Sequence, residues 1–143
     1  HTGTIFSLII NRDDELISGS ADTTIKIWNM ETGECKQTII NAHNKAVLSF
    51  AINKDNDLIS GSAHQSIKIW NMTTLEVKRT LNGHTNSVNS LVVSQDNLLF
   101  SGWIDRTIKI WNMQTGLCLK TINAHINGGI NSLFMSKNNE IIS

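Results

Sequence analysis

The sequence predicts an all-β protein built from one short unit that recurs along the chain. Three tryptophans, Trp28, Trp70 and Trp111, follow one another at intervals of 42 and 41 residues, and each lies in the phrase Ile-Lys-Ile-Trp-Asn-Met. Within each unit apolar and polar residues alternate over short stretches, which is the period of strands and not of helices. Self-similarity at a fixed interval is typical of repeat architectures, in which neighbouring units share a continuous core.

Histidines and Ser-Gly pairs mark the same interval. A histidine begins each unit, and in the first three units a Ser-Gly pair follows it 17 residues later. The histidines are His1, His43, His84 and His125, and the serines are Ser18, Ser60 and Ser101. We expect three complete units and about half of a fourth, with bounds at 1–42, 43–83, 84–124 and 125–143.

Each unit is predicted to form four strands, about 14 in the whole chain, joined by tight turns. In the third unit the strands are expected at 87–93, Leu98–Gly102, Thr107–Asn112 and 117–122, because these stretches are rich in Ile, Leu and Val. Asp and Asn tolerate left-handed backbone and supply the first turn of each unit. These pairs are Asp13-Asp14, Asp55-Asn56, Asp96-Asn97 and Asn138-Asn139.

The third turn differs between units. Thr32-Gly33 and Thr115-Gly116 supply a glycine, which adopts positive φ at little cost. The second unit has Thr74-Leu75 at this place, so we expect its loop to be built differently.

The composition argues against several classes of protein. The chain has 143 residues with 12 basic and 12 acidic side chains, and this zero net charge argues against nucleic-acid binding. No apolar run approaches the roughly 20 residues of a membrane span. Cys35 and Cys118 are too few for a disulfide scaffold and lie two units apart. We expect them to be reduced thiols in the core of an intracellular, cytoplasmic protein.

The interval, the histidine, the Ser-Gly pair and the Ile-Trp-Asn phrase resemble the WD-repeat β-propeller family over all 143 residues. The family's Trp-Asp dipeptide reads Trp-Asn here in all three copies. The resemblance implies four-stranded antiparallel blades that stack radially. About three and a half blades form an open arc, so we expect part of a seven-bladed ring, completed by a longer chain or, as the alternative, by a second copy.

The resemblance also implies a hydrogen-bonded tetrad of His, Ser, Asp and Trp in each blade. Aspartate can accept from one imidazole nitrogen, serine can bond the other, and a buried indole N–H needs an acceptor. Blade two has His64 where the acid is expected, so it should be the least tightly held. By spacing, the tetrads are His1, Ser18, Asp22 and Trp28; His43, Ser60, His64 and Trp70; and His84, Ser101, Asp105 and Trp111.

We expect no catalytic function, no cofactor and no metal. The Ser-His-Asp trio resembles a hydrolase triad, but it occurs in two of three units and lacks a nucleophile elbow. Four of the five histidines belong to the repeat, and no paired-ligand spacing such as Cys-x-x-Cys is present.

By resemblance, partner contacts lie at the entry to the innermost strand and just before the tetrad acid. Apolar side chains on a solvent-facing rim indicate a protein interface, although Trp103 could instead fill a gap between blades. The expected contact residues are Phe6, Leu48, Asn89, Trp103 and Ile104. We expect a scaffold that binds proteins or peptides, with no membrane or nucleic-acid partner. The alternative is a substrate-targeting module of a larger enzyme, such as a kinase or a ubiquitin-ligase subunit.

Overall fold

The computed structural model describes residues 1–102, 105–124, 130, 132–136 and 140–142. These residues form 14 β-strands, arranged as three four-stranded antiparallel sheets and one two-stranded sheet. The described part of the chain contains no helix. The prediction of an all-β fold with about 14 strands is therefore confirmed.

Each complete sheet follows chain order from the innermost to the outermost strand. Blade one contains β1 (Ile5–Ile10), β2 (Glu15–Ser20), β3 (Ile25–Asn29) and β4 (Cys35–Ile39). Blade two contains β5 (Val47–Ile52), β6 (Leu58–Ser62), β7 (Ile67–Trp70) and β8 (Val77–Leu81). Blade three contains β9 (Ser90–Val93), β10 (Leu98–Gly102), β11 (Thr107–Asn112) and β12 (Cys118–Asn123), and the partial blade contains β13 (Phe134–Met135) and β14 (Ile141–Ile142).

Left-handed residues close the first turns, as the Asp and Asn pairs predict. Asp14, Asn56 and Asn97 have φ of 56°, 61° and 62°. The Asn138-Asn139 pair lies outside the described residues.

The third turn of blade two overturns the expectation of a different loop. Leu75 has φ of 58°, close to the 72° of Gly33, and its N–H donates to the Asn71 carbonyl at 2.8 Å. The asparagine explains this, because Asn71 Oδ1 accepts from the N–H groups of Thr73 and Thr74 at 2.8 and 3.0 Å. These bonds hold the turn, so leucine occupies a left-handed position that glycine fills elsewhere.

The core lies between blades and not within one sheet. Isoleucines on one face of each blade pack on the tryptophan-bearing face of the next, as Ile17 and Ile27 do on Trp70. The glycine of the Ser-Gly pair stands where the next blade approaches most closely. A Cβ on Gly61 would lie 2.8 Å from the Val88 carbonyl oxygen. Stacking of the repeats therefore buries the apolar surface, as the sequence predicts.

The two cysteines contradict the expectation of core thiols. Cys35 and Cys118 are both free and exposed. They lie on β4 and β12, the outermost strands, where most side chains are exposed on both faces. The outer strand of a blade has little sheet to pack against, so a position equivalent by repeat is not a buried one.

Candidate functional site

In blade three the tetrad residues form one continuous chain of hydrogen bonds. Trp111 Nε1–H donates to Ser101 Oγ at 2.7 Å, and Ser101 Oγ lies 2.6 Å from His84 Nε2. His84 Nδ1 lies 2.8 Å from Asp105 Oδ2. The indole, hydroxyl, imidazole and carboxylate thus link β11, β10 and the two loops at one edge of the blade.

The charge states of His84 and Asp105 determine which atoms donate and which accept in this series of hydrogen bonds. Burial, together with the charge of Lys109, lowers the pKa of His84 and Asp105 offsets this only in part, so the imidazole is neutral at neutral pH. Burial alone would raise the pKa of Asp105, but hydrogen bonds from His84 and Thr107 outweigh it and lower that pKa. The carboxylate only accepts, so His84 Nδ1 carries the proton and Nε2 accepts from the Ser101 hydroxyl.

In blade one the carboxylate of Asp22 accepts several hydrogen bonds. Its Oδ2 accepts from the Thr2 N–H at 2.8 Å and lies 3.0 Å from His1 Nδ1. Its Oδ1 accepts from the Thr24 N–H and hydroxyl at 3.0 and 2.7 Å. Burial alone would raise the pKa of Asp22, but the hydrogen bonds from Thr24 and Thr2 outweigh it and lower that pKa to about 2. Asp22 therefore ties the chain start to the loop between β2 and β3.

The serine and the tryptophan complete the series of hydrogen bonds in blade one. Ser18 Oγ lies 2.6 Å from His1 Nε2 and accepts from Trp28 Nε1–H at 2.7 Å. Trp28 is only partly buried, unlike Trp70 in blade two, whereas the His1 side chain is buried.

Blade two has a shorter chain, and the assignment of His64 to it is corrected. Ser60 Oγ accepts from Trp70 Nε1–H at 2.8 Å and lies 2.7 Å from His43 Nε2. His43 Nδ1 meets Ser66 Oγ at 3.2 Å, and the His64 side chain is exposed and makes no hydrogen bond within the described residues. A neutral imidazole has one acceptor nitrogen and cannot gather the donors that Asp22 gathers. Burial, with the nearby charge of Lys68, lowers the pKa of His43 to about 3.

The predicted contact residues lie on irregularities of the inner strands. The pairing of β1 shifts between Ile5 and Ser7, and that of β5 shifts between Val47 and Ser49. Phe6 and Leu48 are therefore the extra residues of two β-bulges, which re-aim side chains out of the regular pleat. Phe6 is 53% exposed and Leu48 is half-buried.

Asn89 holds the corresponding place in blade three, just before β9. Its N–H donates to the Gly102 carbonyl at 3.4 Å, and its Oδ1 is buried without a partner among the described residues. Strands β1, β5 and β9 lie side by side. The structure thus brings Phe6, Leu48 and Asn89 to neighbouring strands, while Trp103 and Ile104 lie outside the described residues.

Sequence reasoning missed the bulges and Ser66. The signal for the bulges is positional, since Phe6, Leu48 and Asn89 each follow the unit's histidine by five residues. The signal for Ser66 is the hydroxyl at the same place in each unit, Thr24 in blade one and Thr107 in blade three. In the described part of the chain no group of three or more His, Cys, Asp or Glu could hold a metal ion.

Repeated four-stranded blades that pack face to face, each holding a Trp–Ser–His series of hydrogen bonds, define a WD-repeat β-propeller, and the chain belongs to this family. Residues 1–98, more than half of the chain, match the family described as IP5P C-F beta-propeller.

Solved WD40 structures share this architecture. The WD40 beta propeller domain of Doa1 is 27% identical with a TM-score of 0.91, over 99% of this chain and 47% of that one. The RRP9 WD40 repeats are 28% identical with a TM-score of 0.85, over 93% of this chain and 42% of that one. This chain therefore spans less than half of either structure.

Two curated relatives match over stretches about as long as one repeat. Eukaryotic translation initiation factor 3 subunit I of Debaryomyces hansenii is 54% identical over 39 residues, which are 27% of this chain and 11% of that protein. The tRNA (guanine-N(7)-)-methyltransferase non-catalytic subunit wdr4 of Dictyostelium discoideum is 59% identical over 32 residues, 22% of this chain and 7% of that protein. Both relatives are named as subunits. The described residues include no helix long and apolar enough to cross a bilayer.

Proposed function

We propose that the protein is a non-catalytic scaffold that binds other proteins or peptides at the edge formed by Phe6, Leu48 and Asn89, here called the bulge face. The observation that carries the proposal is the recurrence of an out-of-pleat side chain at the same place on two neighbouring inner strands, β1 and β5, with Asn89 at the matching place just before β9. Loops positioned by a rigid scaffold are where recognition residues concentrate. Trp103 and Ile104 belong to the same predicted set.

The energetics favour a protein partner for this edge. An aromatic ring as exposed as Phe6 gains free energy when a partner buries it, by about 25 cal/mol per Å² of apolar surface. The tetrad hydrogen bonds hold the adjoining loops in place, so a partner that binds there pays little entropy to order the backbone. Subunit names among the relatives agree with assembly into a complex.

Substitution on the bulge face tests the proposal. The proteins that copurify with the chain are identified, and dissociation constants are measured for Phe6→Ala and Leu48→Ala. Leu117→Ala is the matched control, because Leu117 is 63% exposed and lies before β12, away from the inner strands. We expect each bulge-face substitution to weaken binding about tenfold or more, as for interface anchors. Unchanged binding in both variants would reject the proposal.

The second candidate is a substrate-targeting module of a larger enzyme. It is favoured by the relative named as the non-catalytic subunit of a tRNA methyltransferase. In that case a copurifying enzyme would lose activity on its own substrate when Phe6→Ala is introduced, while its activity on a small substrate analogue would persist. Equal loss of both activities would count against targeting.

We also propose that a further blade covers the outer face of blade one. Leu8 and Met30 are 59% and 53% exposed on the tryptophan-bearing face of blade one. The equivalent face of blade two is covered by blade one. The covering blade would come from a longer chain, in a seven-bladed ring, or from a second copy. Sedimentation of the chain tests this, since a monomer with a cooperative melt would contradict both sources.

A further inference from the structure

A polar cavity of about 360 Å³ lies at the edge of blade two, where the polypeptide passes to His84 of blade three. Its lining includes Asn44, His64, Gln65, Ser66 and Lys68, and none of its lining residues carries a carboxylate. Imidazole, ammonium and amide groups all donate hydrogen bonds. The cavity is therefore rich in donors and has no negative charge of its own.

The cavity lies where blade two departs from the repeat. In blade one the carboxylate of Asp22 accepts from the Thr2 N–H and from the N–H and hydroxyl of Thr24. The matching groups in blade two are the N–H of Asn44 and the N–H and hydroxyl of Ser66, but residue 64 is histidine. Within the part of the chain described here, neither of these two N–H groups finds an acceptor in the protein. Blade two thus keeps the donors of an oxyanion site and lacks the oxyanion.

The cation of Lys68 lies beside these donors and pairs with no carboxylate of the described residues. Lys68 Nζ donates to the Ala42 carbonyl at 2.6 Å and lies 5.3 Å from the centre of the Trp70 ring. Its counterparts Lys26 and Lys109 lie in blades that keep the tetrad acid, and their Nζ atoms donate to the hydroxyls of Thr38 and Thr121 at 3.0 and 2.9 Å. An anion in the cavity would supply Lys68 with the opposite charge that its surroundings lack.

We propose that this blade-two cavity binds an oxyanion, a carboxylate or phosphate group on the side chain of a bound peptide, which takes the place of the missing tetrad acid. The proposal rests on the proposed function, because the peptide belongs to the partner that docks on the bulge face. The N–H groups of Asn44 and Ser66 donate to the oxyanion, and Lys68 and His64 supply further donors. The partner thereby completes the chain Trp70–Ser60–His43 from outside.

Nuclear magnetic resonance with defined probes tests the cavity directly. The full chain, labelled with ¹⁵N, is titrated with inorganic phosphate and with three peptides of one sequence that carry phosphoserine, glutamate or serine at one position. We expect the amide protons of Asn44 and Ser66 to shift downfield with phosphate and with at least one anionic peptide, and not with the serine peptide. The anion that binds more tightly identifies the source as phosphate or carboxylate.

Two variants and one control decide whether the anionic probes bind in the cavity. His64→Asp gives blade two the acid of the other blades, so it should abolish probe binding while the chain stays folded. Lys68→Met should weaken binding about tenfold, as expected for loss of a charged hydrogen bond. Lys26→Met removes the equivalent lysine of blade one, where Asp22 is present, and should change binding less than about twofold.

The outcomes separate this proposal from the function on which it rests. Amide shifts that are seen in the wild type and are absent in His64→Asp support anion binding in the cavity. This holds even if Phe6→Ala leaves partner binding unchanged, a result that rejects the bulge face. No shift with any anionic probe, or equal binding by the wild type and His64→Asp, overturns the cavity while leaving the bulge face to its own test.

Discussion

Replacing Ser60 by alanine removes the middle of the hydrogen-bond chain in blade two. Ser60 is fully buried, and its Oγ accepts from Trp70 Nε1–H at 2.8 Å and bonds His43 Nε2 at 2.7 Å. The alanine leaves an indole donor and an imidazole acceptor without partners, and each loss costs about 1–3 kcal/mol in a dry site. We expect the free energy of unfolding to fall by about 2–5 kcal/mol.

Ser18→Ala in blade one is the matched comparison. Its serine makes the same two bonds, at 2.6 and 2.7 Å, to the buried ring of His1 and to the partly buried Trp28. The indole of Trp28 can turn to water when the hydroxyl is lost and the imidazole of His1 cannot, so we expect a smaller loss than in blade two, about 1–3 kcal/mol. The structure therefore predicts an ordered pair of values and not simply two destabilised variants.

Urea unfolding, followed by tryptophan fluorescence, measures both variants against the wild type. The reasoning would be refuted if Ser18→Ala cost as much as Ser60→Ala. It would also be refuted if Ser60→Ala cost less than about 0.5 kcal/mol, the low end for a single net hydrogen bond.

Three further changes probe the packing, the titration and the outer strands. Gly61→Ala should lower the free energy of unfolding by about 1–3 kcal/mol, because its Cβ would meet the Val88 carbonyl at 2.8 Å; an unchanged urea midpoint would contradict this. Burial and the charge of Lys68 lower the pKa of His43 from 6.5 to about 3, so the unfolded chain binds the proton first and stability falls as pH drops from about 6.5 to about 3. The loss should be on the order of 3–5 kcal/mol at most, and His43→Gln should flatten the pH profile of urea unfolding. Cys35 and Cys118 are exposed and should react with a thiol reagent in the folded chain, whereas reaction only in urea would show them to be covered.

The spacing of Trp28, Trp70 and Trp111 was enough to predict the fold, because each repeat buries the same apolar face against the next. The left-handed turn residues followed from the chemistry of Asp and Asn. The cysteines did not follow, because repeat position says nothing about how much of an outer strand its neighbours cover.

Blade two shows the limit of transferring a motif by spacing. Position 64 matches the tetrad acid in sequence, but a side chain joins a hydrogen-bond network only if its atoms suit the donors there. The ring of His64 does not, and His43 Nδ1 keeps only the contact with the Ser66 hydroxyl, which matches the contact of Thr24 with His1 in blade one. The bulges at Phe6 and Leu48 also escaped the sequence, because an extra residue in a strand leaves the alternation on either side intact.

Hydrogen exchange of the indole N–H groups tests most directly whether a buried series of tryptophan–serine–histidine hydrogen bonds holds each blade together. The account predicts that the indole protons of Trp70 and Trp111 exchange as slowly as backbone amides of the central strands, and that the proton of Trp28 exchanges faster. Exchange of the Trp70 and Trp111 indole protons at the rate of free indole would contradict it.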